Sequence, residues 1–458
     1  SIFYLSLAAD NNDEVNSQYI LGLIYLENKY VYDIKKAIRY FTLAANHDHL
    51  SAQEMLGSIY SDNKYLSMNI EFAVHYLSLA AKKNSPFAQA LLGSIYLKGN
   101  CAKQNADKII HYFTLSANQN FTMAQFILGS LYYEGQIVQQ DLNKSIFYLK
   151  LAADKNLVDA QNNLGLLYRD SIRDPNKALH YLLLAAKQNC AYALNNLGEM
   201  YKDGNLVPKD ISRAIYYYTI SANQNDCIAL NSLGNIYSEE IYKRIDIIKA
   251  IHYFSLAADQ NCSASLYNLG IIYLEGKHTQ KDINKAIYYF TRASKLYNYD
   301  AILNLSYIYL FEIRNQDINK AIQYATIASR SNCAKAQLLL GFIYLSEKFQ
   351  RQDIKKAIEY FKLSAKNRNI DAYHPLGFLY HEGKYISKNI NLAISNYKEA
   401  SSFNNRFSKN NLGVIYKRGD GVEKNISNAI IFFEEALRVK NDPISSYNLA
   451  HIYFYGEN

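Results

Sequence analysis

The sequence predicts an all-α protein built as a solenoid of helical repeats, and three observations support this fold class. The ten residues SIFYLSLAAD that open the chain return almost unchanged as SIFYLKLAAD at residues 145–154. Two short apolar motifs alternate through all 458 residues with a period of about 36, and a period of roughly 20–50 residues is typical of solenoids. Apolar residues within each motif are three and four positions apart, as on one face of an α-helix.

The first motif is a Leu-Gly pair followed, three residues after the glycine, by tyrosine, as in LGLIY at residues 21–25. Tyrosine occupies that place in all thirteen occurrences, from Tyr25 to Tyr453. The spacing of the apolar residues around it predicts an amphipathic helix, which we term the leading helix of each repeat. The landmark positions of the leading helices are Gly22, Gly57, Gly93, Gly129, Gly165, Gly198, Gly234, Gly270, Ser306, Gly341, Gly377, Gly413 and Ala450.

The second motif, seen as KKAIRYF at residues 35–41, predicts the trailing helix of each repeat. Asp or Asn stands four residues before the motif alanine in all twelve full occurrences, from Asp33 to Asn425, and we expect it to cap the helix N-terminus. Glycine follows the leading helix in seven repeats, including Gly99 and Gly135, which predicts a left-handed C-terminal cap. Asn or Asp fills the equivalent place after the trailing helix in eleven of thirteen repeats.

These repeats are predicted to form one elongated domain, residues 1–458. We expect residues 1–10 to be the trailing helix of a truncated repeat, residues 11–442 to hold about twelve full repeats, and residues 443–458 to be the leading helix of another truncated repeat. Such a chain would expose uncapped apolar faces at both ends, and terminal repeats normally need polar caps. End-to-end self-association through the termini is therefore expected.

Tyrosine usage and hydropathy bear on the partners. Twenty-four of the 43 tyrosines fall at the two motifs, where helices are expected to pack, so we predict neither a base-stacking surface nor a nucleic-acid partner. The net charge of +8 is modest for this length. No apolar run approaches the ~18 residues that a membrane span requires, so no membrane span is predicted.

Residues that would support catalysis or metal binding are not arranged for it. Four of the ten histidines share one repeat position without a carboxylate or cysteine beside them. His374 and His381 lie seven residues apart on one helix face beside Pro375, which is only slightly more suggestive of a site. No repeat contains a pair of the five cysteines, which favours a reducing compartment. We expect no enzymatic activity, no cofactor and no metal, and a cytoplasmic location.

The sharpest candidate for a binding site is an asparagine that recurs two residues before the landmark position. In the first four repeats that place is apolar instead, with Ile20, Met55, Leu91 and Ile127. Helical phase puts it at the rim of the buried arc. Since a carboxamide both donates and accepts hydrogen bonds, a row of them would hold an extended peptide; the alternative is that they brace neighbouring helices. The predicted peptide-binding residues are Asn163, Asn196, Asn268, Asn304, Asn411 and Asn448.

The two motifs together, carried nearly whole by DAQNNLGLLYRD at 159–170 and KDINKAIYYFTRAS at 281–294, resemble the Sel-1-like repeat, a relative of the tetratricopeptide repeat. The resemblance extends over essentially the whole chain. It implies a right-handed α/α superhelix that acts as an adaptor in signalling or quality-control complexes. In the tetratricopeptide relatives, the side of the leading helix that carries the asparagines lines the concave groove.

Departures from the family pattern indicate local irregularity. Ser306 and Ala450 replace the landmark glycine, and Pro375 falls inside the expected span of a leading helix. We therefore expect irregular helices around residues 300–325 and 372–380.

The function predicted from these observations is that of a non-enzymatic scaffold that binds protein segments along its concave face. One alternative is a regulatory or targeting region of a larger enzyme, such as a kinase, whose catalytic domain lies elsewhere. An adaptor in endoplasmic-reticulum quality control is a further alternative. A hydrolase resembling the relatives that bind β-lactams is a weaker one, because no Ser-x-x-Lys arrangement stands in a suitable context.

Overall fold

The computed structural model describes Leu5, Ala8 and residues 14–62, 68–99, 102–242, 245–312, 316–439 and 442–455. The predicted trailing helix at residues 1–10 lies outside the described residues apart from Leu5 and Ala8. Where the chain is described, it is helical and contains no strand, which confirms the all-α fold class. None of the described helices is long and apolar enough to cross a membrane.

In the described residues, leading helices (odd numbers) alternate with trailing helices (even numbers). Their bounds are α1 Val15–Glu27, α2 Ile34–Asn46, α3 Leu50–Ser61, α4 Ile70–Lys82, α5 Pro86–Lys98, α6 Ala106–Asn118, α7 Thr122–Glu134, α8 Leu142–Ala153, α9 Val158–Leu167, α10 Pro175–Lys187, α11 Ala191–Asp203, α12 Ile211–Ala222, α13 Cys227–Ser238, α14 Ile247–Asp259, α15 Ser263–Glu275, α16 Ile283–Lys295, α17 Tyr299–Tyr307, α18 Ile318–Arg330, α19 Ala334–Leu345, α20 Ile354–Lys366, α21 Tyr373–Glu382, α22 Ile390–Ser402, α23 Arg406–Arg418, α24 Ile426–Val439 and α25 Pro443–Tyr455.

Backbone contacts group the chain into two compact units, Ser1–Ala229 (unit 1) and Leu230–Asn458 (unit 2). Within each unit, a helix packs mainly against its neighbours in sequence. Successive leading helices also contact one another, as α3 does with α5 in unit 1 and α15 with α17 in unit 2. Each unit therefore has a layer of leading helices, against which the trailing helices pack. A single domain over residues 1–458 stays a prediction.

Carboxylate and carboxamide caps begin the trailing helices as the sequence predicts. In α16, Oδ1 of Asp282 accepts a hydrogen bond of 3.0 Å from the backbone N–H of Lys285. Eleven of the twelve predicted caps make this bond. The prediction is wrong for Asn105, whose side chain does not cap α6. A 3₁₀ turn, Ala102–Asn105, precedes that helix and holds Asn105 at ψ 11° instead of in the extended conformation of a cap.

The helix C-termini also follow the predicted pattern, with one exception. Five glycines after leading helices have positive φ, including Gly135 at 67° and Gly276 at 63°. Gly99 was predicted to do the same, but its φ is −67°, because the chain leaves α5 in an extended conformation. After the trailing helices, nine Asn or Asp residues adopt positive φ, such as Asn84 at 64°. These residues tolerate the left-handed conformation better than other non-glycine residues do.

The landmark glycine lets each leading helix approach its trailing helix closely. A Cβ atom built on Gly270 would lie 2.5 Å from Cε1 of the buried Phe290 ring, and a Phe, Leu or Tyr side chain faces the glycine in ten further repeats. Ser306 replaces the landmark glycine in a repeat whose trailing helix carries Ala325, instead of a large residue, at the facing place. Its hydroxyl donates a 2.7 Å hydrogen bond to the carbonyl of Ala321. A small side chain opposite therefore compensates for the larger landmark residue.

The motif tyrosines form stacked pairs between the two helices of a repeat. In one repeat, the rings of Tyr273 and Tyr289 are 5.8 Å apart with an interplanar angle of 6°. Lys285, from the first turn of the trailing helix, lies 4.8 Å from the centre of the Tyr273 ring. Ten tyrosine pairs stack in this way. The structure thus confirms that these tyrosines serve helix packing, each pair contributing about 0.5–1.5 kcal/mol beyond its buried area.

The two irregular segments lie where the sequence predicts them. A π-helical turn, Ile308–Glu312, ends the leading helix that carries Ser306. A 3₁₀ turn, Ile370–Ala372, precedes α21, which begins at Tyr373. Pro375 lies inside a leading helix as expected, in the first turn of α21, where a backbone N–H would have no intrahelical partner. The late start of α21 therefore accommodates the proline.

The glycine packing predicts that Gly270→Ala destabilises the full-length chain by about 1–3 kcal/mol, because the new methyl group overlaps Phe290. Urea unfolding followed by circular dichroism measures the change. Gly99→Ala is the matched control, since its Cβ would approach other atoms no closer than 3.6 Å at an ordinary φ. In a Phe290→Ala background, Gly270→Ala should lose most of its cost. If Gly270→Ala and Gly99→Ala lower the free energy of unfolding equally, the packing account is contradicted.

Candidate functional site

The candidate site is the solvent side of the leading helices, which we name the leading-helix face. It comprises four places per helix: six and two residues before the landmark position, and one and five residues after it. This spacing follows one stripe of an α-helix. In α7 the four residues are Met123, Ile127, Ser130 and Glu134, of which the first and last are exposed and the middle two half-buried. All six predicted asparagines occupy the second of these places, and all six are half-buried.

In unit 1, Asn163 and Asn196 belong to one hydrogen-bonded chain. Nδ2 of Asn196 donates to Oδ1 of Asn162 on the preceding leading helix at 3.0 Å. Nδ2 of Asn162 in turn lies 3.4 Å from Oδ1 of Asn163. The buried Asn162 therefore joins two of the predicted residues across successive repeats.

An arginine extends this chain toward solvent. Nη1 of Arg169 donates to Oδ1 of Asn196 at 3.2 Å and to Glu199 at 2.9 Å. The same guanidinium pairs with Asp170 at 2.6 Å, and its side chain is mostly buried. Burial lowers the pKa of Arg169, but the hydrogen bonds and charges of Asp170 and Glu199 outweigh it and raise the pKa overall. Arg169 is therefore a fixed cation that holds Asn196 in one orientation.

A cavity of about 600 Å³ opens beside this network within unit 1. Its position follows from the shortened repeat in which a π-helical turn, Tyr168–Ile172, continues α9 and Arg173 adopts a φ of 60°. π-helical turns occur frequently at functional sites, and the volume is within the range of ligand pockets. Residues that line it include Arg169, Asp170, Arg173, Glu199, Asp203 and Asn205.

In unit 2, Asn268 makes a corresponding set of contacts. Its Nδ2 donates to Oδ1 of Asn231 at 3.2 Å and to Oδ1 of Asn235 at 3.0 Å, both on the preceding leading helix. Ser265 donates to the same Asn231 oxygen at 2.9 Å. Asn235 and Asn268 line a second cavity, of about 570 Å³, together with apolar side chains such as Ile271 and with acidic side chains. Each unit thus has a cavity next to a braced asparagine.

The other three asparagines of unit 2 make different contacts. Nδ2 of Asn448 donates to Oδ1 of Asn410 at 3.1 Å, as in the other braced pairs. Asn304 turns back on its own helix and donates to the carbonyl of Asp300 at 2.9 Å. Asn411 lies near the buried Tyr397. Burial raises the pKa of Tyr397, and the interaction with Asn411 partly offsets that rise. The Tyr397 hydroxyl nevertheless has no partner of good hydrogen-bond geometry among the described residues.

Among the described residues, no hydrogen bond joins two of the six asparagines directly. Residues one place earlier, Asn162, Asn231 and Asn410, connect three of them to the preceding helix. Sequence reasoning missed these connecting residues and Arg169. The signal was present in the doublet Asn-Asn before Leu-Gly, which occurs at 162–163, 195–196 and 410–411. The first asparagine of a doublet can accept a hydrogen bond from the asparagine at the second place on the next leading helix, as Asn162 does from Asn196.

His374 and His381 do not form a metal site with a third ligand, since the described residues contain no cluster of three or more His, Cys, Asp or Glu side chains. His374 lies between the Tyr397 and Phe407 rings, with Nδ1 2.9 Å from Oγ of Ser408. Burial lowers the pKa of His374, and burial followed by the charge of Lys388 lowers that of His381. Burial therefore favours the neutral form of both rings.

Comparison with known proteins identifies the repeats. The family model described as Sel1 repeat matches residues 15–49, 50–85, 86–121, 122–157, 158–190, 191–226, 228–262, 263–298, 300–333, 334–369, 370–402, 407–438 and 443–458. No curated protein matches the chain significantly.

Two solved structures illustrate the likeness. A protective antigen of uropathogenic Escherichia coli strains that displays an SLR fold is 25% identical, with a TM-score of 0.63. That match covers 98% of this chain and 89% of the antigen. A Sel1 repeat protein from Oxalobacter formigenes is 28% identical over 74% of this chain and 89% of its own, with a TM-score of 0.48.

The histidine environment predicts a pH-dependent stability of unit 2. Because the folded pKa of His374 is depressed, its contribution to stability is fully present above the unfolded value of about 6.5 and is lost as the pH falls below it. His374→Asn, which keeps a hydrogen-bonding group near Ser408, should reduce the loss of stability between pH 7.5 and 5.5. The control is His111→Asn, on the exposed side of α6. If the unchanged chain and the two variants show the same pH dependence in urea unfolding, this prediction is contradicted.

Proposed function

Because the chain belongs to the Sel1 repeat family, whose model matches it from residue 15 to residue 458, we propose that it is a non-catalytic adaptor that binds segments of other proteins on its leading-helix face. The observation that carries the proposal is the presence, on this face in each unit, of braced carboxamides beside apolar side chains and a cavity. Such a mixture recognises a peptide through its backbone and its apolar side chains.

Bracing leaves part of each carboxamide available to a ligand. Nδ2 of Asn163 donates no hydrogen bond within the described part of the chain, and Oδ1 of Asn268 and of Asn448 accepts none there. A peptide backbone offers one acceptor and one donor per residue, so it can satisfy these atoms without regard to its side chains. Because the other end of each carboxamide is already hydrogen-bonded within the chain, the side chain loses little conformational entropy when a peptide binds.

Apolar side chains supply the remaining contact area. Met123 is 47% exposed and Tyr192 is 65% exposed on the leading-helix face of unit 1. Peptides bound in helix grooves are commonly anchored by such side chains. Besides apolar side chains, this face displays carboxamides, hydroxyls and, in unit 1, carboxylates such as Glu134.

The cysteines support a cytoplasmic location as part of this proposal. Cys190 and Cys333 are half-buried at the N-terminal ends of α11 and α19, each in a different repeat. Thiols in such places persist in a reducing compartment.

The proposal is tested with the full chain and a library of 15-residue peptides, by fluorescence polarisation of the selected binders. Met123→Asp should weaken their binding at least ten-fold, because it places a charge in the apolar contact. Phe147→Asp is the matched control: Phe147 is 58% exposed on the trailing helix α8 and should not matter. Asn163→Ala should weaken binding by about 0.5–1.5 kcal/mol, the value of one hydrogen bond.

Melting temperatures separate the outcomes. If Met123→Asp and Phe147→Asp weaken binding equally at unchanged melting temperature, the leading-helix face is not the binding surface. If the library yields no binder at all, the adaptor proposal for this chain fails.

A further inference from the structure

The leading-helix face of unit 1 carries an acidic row along one edge. Five residues after the landmark position, at the C-terminal ends of the leading helices, five of the six residues of unit 1 are acidic, although the chain as a whole has a net charge of +8. All five are exposed. The exception is Lys98 at the end of α5. The acidic row consists of Glu27, Asp62, Glu134, Asp170 and Asp203.

The opposite edge of the same face is apolar in three of the six leading helices of unit 1. Six residues before the landmark position, at the N-terminal ends of the helices, these three expose Phe87, Met123 and Tyr192, whereas Asn16, Ser51 and Asp159 fill this place in the other three. Eleven residues separate the two edges along a helix, which is about 16 Å at 1.5 Å per residue. A peptide that crosses the helices midway lies about 8 Å from each edge, within reach of long side chains on both of its sides.

The corresponding places in unit 2 have a different composition. There the place five residues after the landmark position holds three glutamates together with Phe311, Ser346, Arg418 and Tyr455. Neither edge of unit 2 has a uniform charge. The acidic row is therefore a property of unit 1 and not of the repeat as such.

On the basis of the proposed function, we propose that the leading-helix face of unit 1 binds a protein segment with lysine or arginine along one side and apolar residues along another. Asp170 and Asp203 are already paired with Arg169 and Lys202, so charge complementarity rests chiefly on the other exposed carboxylates of the row, which attract a basic segment and repel acidic ones. Phosphate-rich nucleic acid is disfavoured for the same reason.

The spacing of the helices sets the spacing of the basic residues. Packed helix layers repeat at about 10 Å, and three residues of extended chain span about the same length. In the polyproline II conformation, which has three residues per turn and a rise of about 3.1 Å per residue, every third side chain points the same way. A segment with a basic residue at every third position therefore brings one cation to each acidic residue of the row.

The test uses the full chain and three synthetic 15-residue peptides, with affinity measured by isothermal titration calorimetry at low and high salt. The first repeats Lys-Pro-Leu five times, the second repeats Glu-Pro-Leu, and the third has the composition of the first with its lysines grouped together. The first should bind more tightly than the other two, and its affinity should fall as salt rises.

Variants on the row locate the site. Glu134→Lys should weaken binding of the Lys-Pro-Leu peptide about three-fold, and Lys98→Glu, which completes the row, should strengthen it about three-fold. Asp154→Lys and Lys150→Glu make the same charge changes at exposed places at the end of trailing helix α8 and should leave the affinity unchanged. Opposite responses to charge changes of opposite sign distinguish this from a folding defect.

The failure of this inference is distinguishable from failure of the proposed function. If the Lys-Pro-Leu peptide binds no better than the Glu-Pro-Leu peptide while library binders are still lost in Met123→Asp, the adaptor proposal stands and the basic specificity is wrong. If the trailing-helix controls change the affinity as much as the row variants, the site is not on this face. If sedimentation shows a dimer of the chain that the peptide cannot displace from the row, the occupant is a second copy and the inference is overturned.

Discussion

Close packing between the landmark glycine of a leading helix and a large side chain of its trailing helix is the constraint on which the rest of the structure depends. The contact leaves no room for a Cβ atom, as the 2.5 Å approach of the Phe290 ring to a Cβ on Gly270 shows. It fixes the rotation of each leading helix about its axis. Once that rotation is set, the residues two before and one after the glycine must lie toward solvent, repeat after repeat. The alignment of asparagines and apolar residues on one face is a consequence.

Local structure could be predicted from the sequence because its causes are local. The N-cap of α16 follows from Asp282 and its own first turn, and the left-handed residue after α4 follows from Asn84. Asn105 shows the limit of this reasoning, since a preceding 3₁₀ turn changed its backbone conformation. The compensation of Ser306 by Ala325 is visible in the sequence only after the packing partner of the landmark position is known.

The site was less predictable because its contacts join different repeats. The row of asparagines is evident from the sequence, but the donation from Asn196 to Asn162 depends on the distance between two leading helices. Arg169 could not be identified for a related reason: its partners Asn196 and Glu199 lie one repeat later. Periodicity places residues on a face, whereas the hydrogen bonds across that face depend on how closely the helices approach.

Bracing and binding are compatible roles for the same carboxamides. An amide group has a donor end and an acceptor end, and one end of Asn268 is held by Asn231 and Asn235 while its oxygen accepts no bond from the described residues. A fixed side chain of this kind stabilises the stack of leading helices and also presents a polar atom in a constant direction. Unit 1 adds an acidic edge to this arrangement, which the corresponding places of unit 2 lack.

Photo-crosslinking tests the central claim, that the leading-helix face holds the ligand, most directly. A photoreactive phenylalanine analogue is introduced in the full chain at position 127 on the leading helix α7 or at position 147 on the trailing helix α8, and the Lys-Pro-Leu peptide is added at a saturating concentration. The account predicts a covalent peptide adduct from position 127 and none from position 147. An adduct from position 147, or equal adducts from both, would contradict it.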